Sequence, residues 1–392
     1  MQIEFVCQSS MGRSDGGLET WAYQFLPALL RQYPDAQLRF IGARPVDHPD
    51  ATAALLSEAG ANADRMNVRF LPIYPGKTPQ IVSMFRQFLA MKAAGDNPKP
   101  DIVITAGTFL ELFMVLLSPR TRNAFKVTWL RTIWVDQKTY RIPKWLRPLA
   151  RRAEALILKQ ADLLLANGDD IGERYGRYGL KVGVIKNAVD LARWSVPHPQ
   201  LGDPIKVAYI GRLALDKGIA DFIQLAQQIK SGPHRDQFSF DVFGHIGQEN
   251  MVREAAERGD VAWHGPVENS QLPATLAGLD VCVALTRSDP NSGGGGGTSN
   301  AMMEQMAAGR IMLAWDNVIF RQWLNDSNAY LAPQRDVTAL AERLIELSAD
   351  RDAAKKRAAN GPLTVSDFGI DAMIERFDAA LTAAMGSKKP GA

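Results

Sequence analysis

Arg212 and Lys217 stand five residues apart in VAYIGRLALDKG, Val207 to Gly218, where an apolar run breaks into a loop at Gly211. Two cations leaving the end of a strand can close on a diphosphate and stabilise the negative charge that develops as it departs. A solvated loop with two charges would have the same spacing, so the pattern needs a second element beside it. That element is a second apolar run, Asp280 to Leu285, which leads into GGGGGTSNAMMEQMAAG, Gly293 to Gly309. It reads as strand, loop and helix. The glycines, Gly296 and Gly297 among them, let backbone approach a ligand closely, and Thr298, Ser299 and Asn300 are candidate helix caps. A helix start offers N–H groups and the positive end of its dipole to an anion. Glu304 falls about one turn in and completes no capping box, because the partner position would be Met302 or Ala301. N–H groups for phosphate and a carboxylate for ribose hydroxyls suit a nucleotide diphosphate, although a glycine run also reads as a plain surface loop.

These loops need strands to end on. The first half alternates strand and helix. Strands are predicted at Ile3–Cys7, Leu38–Gly42, Val68–Leu71, Asp101–Thr105, Lys126–Leu130 and Asp162–Ala166, with helices at Thr20–Arg31 and Pro79–Lys92. The pattern restarts at Ile205–Ile210 and continues at Ser239–Phe243, Val281–Leu285 and Ile311–Trp315. Such alternation predicts α/β architecture with doubly wound parallel sheets. The proline-bearing Trp194–Pro204 reads as the linker. The predicted domains are therefore 1–190 and 191–365, facing a central cleft, followed at 366–392 by a helix (Gly369–Met385) that crosses back and a disordered tail. In the amino-terminal half, Gly16 and Gly17 sit with Glu19 in the loop after the first strand, at a turn that admits a phosphate or sugar or simply packs.

Several chemistries lose support. PGKT at Pro75–Thr78 has Leu71 where a phosphate loop requires glycine, and no GxGxxG follows the first strand. Cys7 and Cys282 lie in strand-like runs and form no disulfide or metal motif. The longest apolar run, Leu112–Leu117, is too short to span a bilayer, and a cytoplasmic location is expected. Net charge is +3, yet eleven basic residues fall between Arg120 and Lys159 against Asp136 and Glu154 alone. Within that patch, Tyr140–Lys159 mixes Arg141, Lys144, Arg147, Arg151 and Arg152 with Trp145, Leu146, Leu149 and Leu156. An interfacial amphipathic helix has this composition, and each cation near an anionic membrane adds about 1 kcal/mol. A solvated helix face is the alternative. No nucleic-acid-binding module accompanies the patch.

IGRLALDKG, DVFG, WHGPVENSQLPATLAGLDVCVALTRS and SNAMMEQMAAG together resemble the retaining glycosyltransferases of family 4, which have the GT-B fold of two Rossmann-like domains. GGLE, ADLLLANGDDIGERY, IKNAVD and NAYLAP extend the likeness over nearly the whole chain. The resemblance implies a nucleotide-sugar donor held by the carboxy-terminal domain and an acceptor held by the amino-terminal one. It implies that Arg212 and Lys217 hold the donor diphosphate, that Glu304 binds the ribose, and that Gly16 and Gly17 face the diphosphate. It also implies that neither a metal nor a cofactor is needed, the two cations and the helix end doing the charge work. The resemblance implies retaining transfer to a glycan or other acceptor, as in cell-surface polysaccharide or glycolipid synthesis; the basic amphipathic stretch adds the expectation of a lipid-linked acceptor and a peripheral place on the inner membrane face.

Two departures stand out. The family has a second glutamate eight positions before the residue matched by Glu304, and here that position is Gly296. The family histidine after the strand VTWL is also missing; the sequence continues RTIWVD, which places Arg131 and Asp136 in that neighbourhood. The five histidines, His245 and His264 included, are expected to be structural. A degenerate GT-B protein that binds a nucleotide or partner without transfer, and a nucleotide-sugar epimerase or phosphorylase, remain the alternatives.

Overall fold

The computed structural model describes residues 1–12, 17–45, 50–73, 98–135, 142–143, 145–288 and 299–387. Gly16, Gly296, Gly297, Thr298, Asp136, Arg141, Lys144, His48, the PGKT stretch and the helix predicted at 79–92 lie outside them. The chain divides into two units. The first holds Met1–Ala188 and the chain from Ile370 onward; the second holds Val189–Asp289 and Ser299–Gly369.

In unit 1, β1 (Gln2–Cys7), α1 (Gly17–Gln32), β2 (Gln37–Pro45), α2 (Thr52–Ala59), β3 (Met66–Ile73), β4 (Ile102–Gly107) and α3 (Phe109–Leu117) lead to β5 (Phe125–Leu130). There follow α4 (Arg147–Leu158), β6 (Leu163–Ala166), α5 (Asp169–Gly176) and β7 (Gly183–Val184). The described strands form one parallel sheet in the order β3-β2-β1-β4-β5-β6-β7. Every residue of β4 and β5 is buried, the mark of a parallel sheet covered on both faces. Trp21, Phe25 and Leu29 of α1 recur at helical spacing and pack onto that sheet.

Unit 2 repeats the plan. It contains β8 (Ile205–Ile210), α6 (Ile219–Lys230), β9 (Phe238–Phe243), α7 (Glu249–Glu257), β10 (Ala262–Gly265), α8 (Leu272–Ala277), β11 (Val281–Ala284) and α9 (Asn300–Ala307). Then come β12 (Ile311–Asp316), β13 (Ala329–Pro333), α10 (Val337–Ala349) and α11 (Arg351–Val365). The sheet order is β10-β9-β8-β11-β12-β13, all parallel. Both units thus carry the doubly wound 3-2-1-4-5-6 order, with a switch point between β1 and β4 and another between β8 and β11. Loops leaving the two central strands diverge there and open a crevice at the carboxyl edge of the sheet.

The last helix, α12 (Ile370–Ser387), belongs to unit 1. Phe377 stacks on Trp129 with centroids 5.7 Å apart and meets Phe25 edge-on at 5.2 Å, and the Tyr33 hydroxyl donates to Asp378 Oδ1. The helix runs through Gly386 and Ser387, two residues into the tail that was predicted to be disordered. Strands β7 and β10 carry no strong sequence signal, and β13, although its AYLA is an apolar run, is not among the predicted strands. β7 has two residues and β10 reads AWHG with a polar histidine, so neither shows the apolar run that marks the central strands.

Candidate functional site

The carboxyl edge of the unit 2 sheet is built from glycine contacts. Gly211, just past β8, has φ +147°, and Gly244, just past β9, has φ +155°. A Cβ on Gly244 would collide with the Gly211 carbonyl oxygen, and one on Gly247 with that of Leu213. The two loops are stitched together by backbone bonds, Leu213 N–H to His245 O at 3.3 Å and Gln248 N–H to Leu213 O at 2.7 Å. Gly218 ends the loop in the left-handed region at φ +83° and starts α6 without a side-chain cap. It presses on Leu285, the residue after β11, whose carbonyl oxygen would lie 2.5 Å from an added Cβ. The two sides of the switch point therefore touch through a residue that must be glycine.

This frame brings Arg212 and Lys217 together. Arg212 is exposed and Lys217 half-buried. Loss of hydration lowers the Lys217 ammonium pKa first; Asp216 opposes the shift and the Arg212 charge adds to it. Two cations whose fields overlap, with one of them partly desolvated, are primed to gain from an anion. The Tyr209 hydroxyl donates to the Arg212 carbonyl and holds the turn.

The loop after β11 is anchored by side chains that the sequence pattern did not single out. Arg287 Nε donates to Asp221 Oδ2 at 3.0 Å and Nη2 reaches Oδ1, so a residue past β11 is held by the first turn of α6. Arg287 N–H also donates to Asp216 O at 2.8 Å. Gln334, after β13, accepts from Ser288 N–H at 2.7 Å and donates to Ser288 O at 3.1 Å, while Asn317 Nδ2 donates to Thr286 O at 3.1 Å. The available signals were an acid at the third position of a helix and two amides just past strands. Each is common enough to pass unnoticed.

Helix α9 begins where the glycine run ends. Ser299 is its cap, accepting from Met302 N–H at 3.4 Å, and Asn300 is its first helical residue, not a cap. Glu304 is the fifth helical residue, about one turn in from the Ser299 cap, as expected. Half-buried, it has its carboxyl pushed up to about 7 by loss of hydration, against a smaller downward pull from Arg193. Arg193, also in unit 2, is a neighbour that sequence reasoning missed; its guanidinium lies 5.2 Å from the Trp194 ring centre. His264 pairs with Asp241 at 2.7 Å and stacks on Phe243.

In unit 1, Gly17 opens α1, and Glu19 in the first turn accepts from the Ser9 hydroxyl in the loop after β1. Arg131 follows β5, its N–H donating to Gly107 O at 2.8 Å. Its guanidinium lies on the Trp21 face, 4.3 Å from the ring centre. Burial pulls its pKa down to about 9, with the Glu19 charge opposing.

The amphipathic segment needs correction. Trp145, Leu149 and Leu156 are 78%, 65% and 63% exposed, and Arg152 is exposed with them. Arg147 and Arg151 are half-buried instead, because they share the helical stripe of Glu154 and Leu158 that packs inward. Arg147 Nε donates to Ile142 O at 3.3 Å. Of the three described basic residues expected to face a membrane, Arg152 alone stands in solvent. Glu154, beneath them, accepts from the Tyr175 hydroxyl at 2.8 Å, and burial pushes its carboxyl up to about 7.

A family model described as Glycosyl transferases group 1 matches residues 204–350, and one described as Glycosyltransferase Family 4 matches residues 15–193. Glycogen synthase of Mycobacterium tuberculosis is 23% identical over 297 residues, 70% of this chain and 67% of the relative. HepE of Anabaena, solved in complex with UDP, superposes with a TM-score of 0.73 at 15% identity, covering 98% of this chain and 100% of that one. Sucrose-phosphate synthase from Thermosynechococcus elongatus gives 0.75 at 17% identity, covering 99% and 100%. At such identities the solved structures speak for the fold.

Proposed function

Since this chain belongs to the group 1 glycosyltransferases of GT-B fold, we propose that it uses a nucleotide-sugar donor and that unit 2 holds the donor diphosphate through Arg212 and Lys217. The observation that carries this reading is the pair of interacting cations on a glycine-framed loop at the β8/β11 switch point, where doubly wound sheets bind ligands. The start of α9 adds N–H groups from Ser299 and Asn300, and Gly211 keeps the approach open beside them; Gly296, Gly297 and Thr298 lie outside the described residues. Glu304 takes the ribose hydroxyls. Gly17, which opens α1 in unit 1, and Gly16, outside the described residues, keep the role that the family resemblance implies for them, and unit 1 receives the acceptor. HepE and its complex with UDP-glucose support a uridine nucleotide as the first donor to try.

In the proposed reaction the bond from C1 to the diphosphate oxygen breaks while a bond to the acceptor oxygen forms on the same face. The acceptor proton passes to the departing diphosphate, whose charge Lys217 and Arg212 stabilise. The configuration at C1 is retained, and no metal or cofactor takes part. Trp145, Leu149, Leu156 and Arg152 present an apolar stripe with a cation to an anionic lipid surface, with Lys144 close in sequence. A lipid-linked glycan acceptor at the inner membrane face, in cell-surface polysaccharide or glycolipid synthesis, fits that stripe.

The test is incubation of the full chain with a panel of nucleotide sugars and glycan acceptors, read by nucleotide release and by the anomeric proton coupling of the product. Transfer with retained configuration supports the proposal. Nucleotide binding without transfer or hydrolysis would favour the degenerate reading, and isomerised sugar without an acceptor would favour an epimerase.

A further inference from the structure

The guanidinium of Arg131 makes no hydrogen bond or ion pair with any described residue, and its Nη1 is enclosed. Trp21 covers one face. Nearby carboxylates are committed elsewhere. Glu19 accepts from the Ser9 hydroxyl and reaches Arg131 only through its field. Glu111 is tied to Thr108, accepting from its N–H and its hydroxyl at 2.9 Å each. Loss of hydration outweighs the pull of Glu19 on Arg131, so among the described residues none supplies the countercharge that a desolvated guanidinium requires. The group stands at the carboxyl end of β5, beside β4, which flanks the β1/β4 switch point of the unit 1 sheet, and Arg131 N–H fixes its backbone to the end of β4. A neutral hydroxyl could satisfy a donor but would leave the charge uncompensated. A carboxylate or phosphate offers a pair of oxygens matched to the planar fork and brings the missing charge.

We propose that Arg131 is a substrate-binding residue that takes the oxygens of an anionic group, carboxylate or phosphate, carried by the acceptor. This rests on the reading of unit 1 as the acceptor side. It makes the substrate an acidic or phosphorylated glycan, and the arginine a determinant of specificity where the resembling family has histidine.

The experiment measures calorimetric binding of methyl glucuronide, glucose 6-phosphate, methyl glucoside and UDP to the full chain, to Arg131→Gln and to Arg131→Met, with the Tm of each. The expected result is at least tenfold preference for one anionic sugar over methyl glucoside, lost in both variants, with Tm unchanged or raised in Arg131→Met because a desolvated charge has been removed. Loss of UDP affinity in the variants, with no preference among the sugars, would move the anion from the acceptor to the donor and overturn the acceptor assignment. Equal binding of charged and neutral sugars, or a preference that survives Arg131→Gln, overturns the proposal. A Tm lowered by several degrees in both variants, with no anion bound by the parent chain, makes Arg131 structural. UDP binding by the parent chain is the separate check on the glycosyltransferase reading, so each failure can be told from the other.

Discussion

Arg287 and Asp221 join the two loops of the unit 2 switch point, Nε to Oδ2 at 3.0 Å and Nη2 to Oδ1, across 66 positions of sequence. One residue lies past β11, where the glycine run is about to begin; the other is in the first turn of the helix that follows Lys217. Asp221 is buried and Arg287 is 27% exposed. The paired charges therefore fix the chain just past β11 against the helix that follows the proposed diphosphate cations.

Asp221→Asn and Arg287→Gln should each lower stability by about 1.5–3 kcal/mol, as expected for losing hydrogen bonds to a charged group. Urea unfolding of both single variants and the double variant reads the coupling. Additive losses would mean that the pair does not act as a unit.

Lys217→Ala should leave Tm within a few degrees of the parent, since Lys217 is half-buried and packs no core. Turnover should fall by about a hundredfold to a thousandfold, the usual loss when one stabilising charge is taken from a transition state. Steady-state kinetics with the best donor decides it, and unchanged turnover sinks the clamp.

Gly244→Ala should be among the most damaging small substitutions in unit 2. Its φ of +155° disfavours any side chain, and the new methyl would meet the Gly211 carbonyl. Weakened nucleotide binding together with a lowered Tm is expected, whereas Gly259→Ala, with φ +79° and open space around its Cβ, should show strain alone. Equal effects at the two sites would argue against the contact.

Glu304 gives a pH signature. Its carboxyl is raised from 4.5 to about 7 by burial, so between those values the folded state binds more protons than the unfolded one. Stability contributed by this group is present below about 4.5 and declines as pH rises toward 7. Glu304→Gln should flatten that part of the profile and raise stability above pH 7. If the ionised carboxylate accepts from ribose, nucleotide affinity in the parent should instead rise through pH 7 and become flat and weaker in the variant. Calorimetry from pH 5.5 to 8.5 shows which trend holds.

Flotation with vesicles of anionic lipid tests the exposed stripe. Leu149→Glu with Leu156→Glu should release the protein from the vesicles, and Arg152→Glu should weaken binding more at low salt than at high salt. Arg147→Glu should act chiefly through stability, because that side chain is packed and bonded to Ile142. A parent chain that stays with the soluble fraction at low salt removes the membrane proposal.

The sequence by itself determined the parts whose signal is local. Apolar runs of four to six residues marked the central strands, because strands buried on both faces carry apolar side chains throughout. Glycine and charge at the ends of those runs marked Gly211, Arg212, Lys217 and Glu304, since a ligand loop needs both close backbone approach and complementary charge. What only the tertiary structure decided depends on partners distant in the chain. The Asp221–Arg287 bridge, the grip of Gln334 on Ser288, the Arg193 charge opposite Glu304 and the inward turn of Arg147 and Arg151 all follow from which faces meet after the sheet is assembled. So does the state of Arg131: a cation in a basic patch looks solvated in sequence, and packing against Trp21 is what encloses its Nη1 and leaves it without a partner among the described residues.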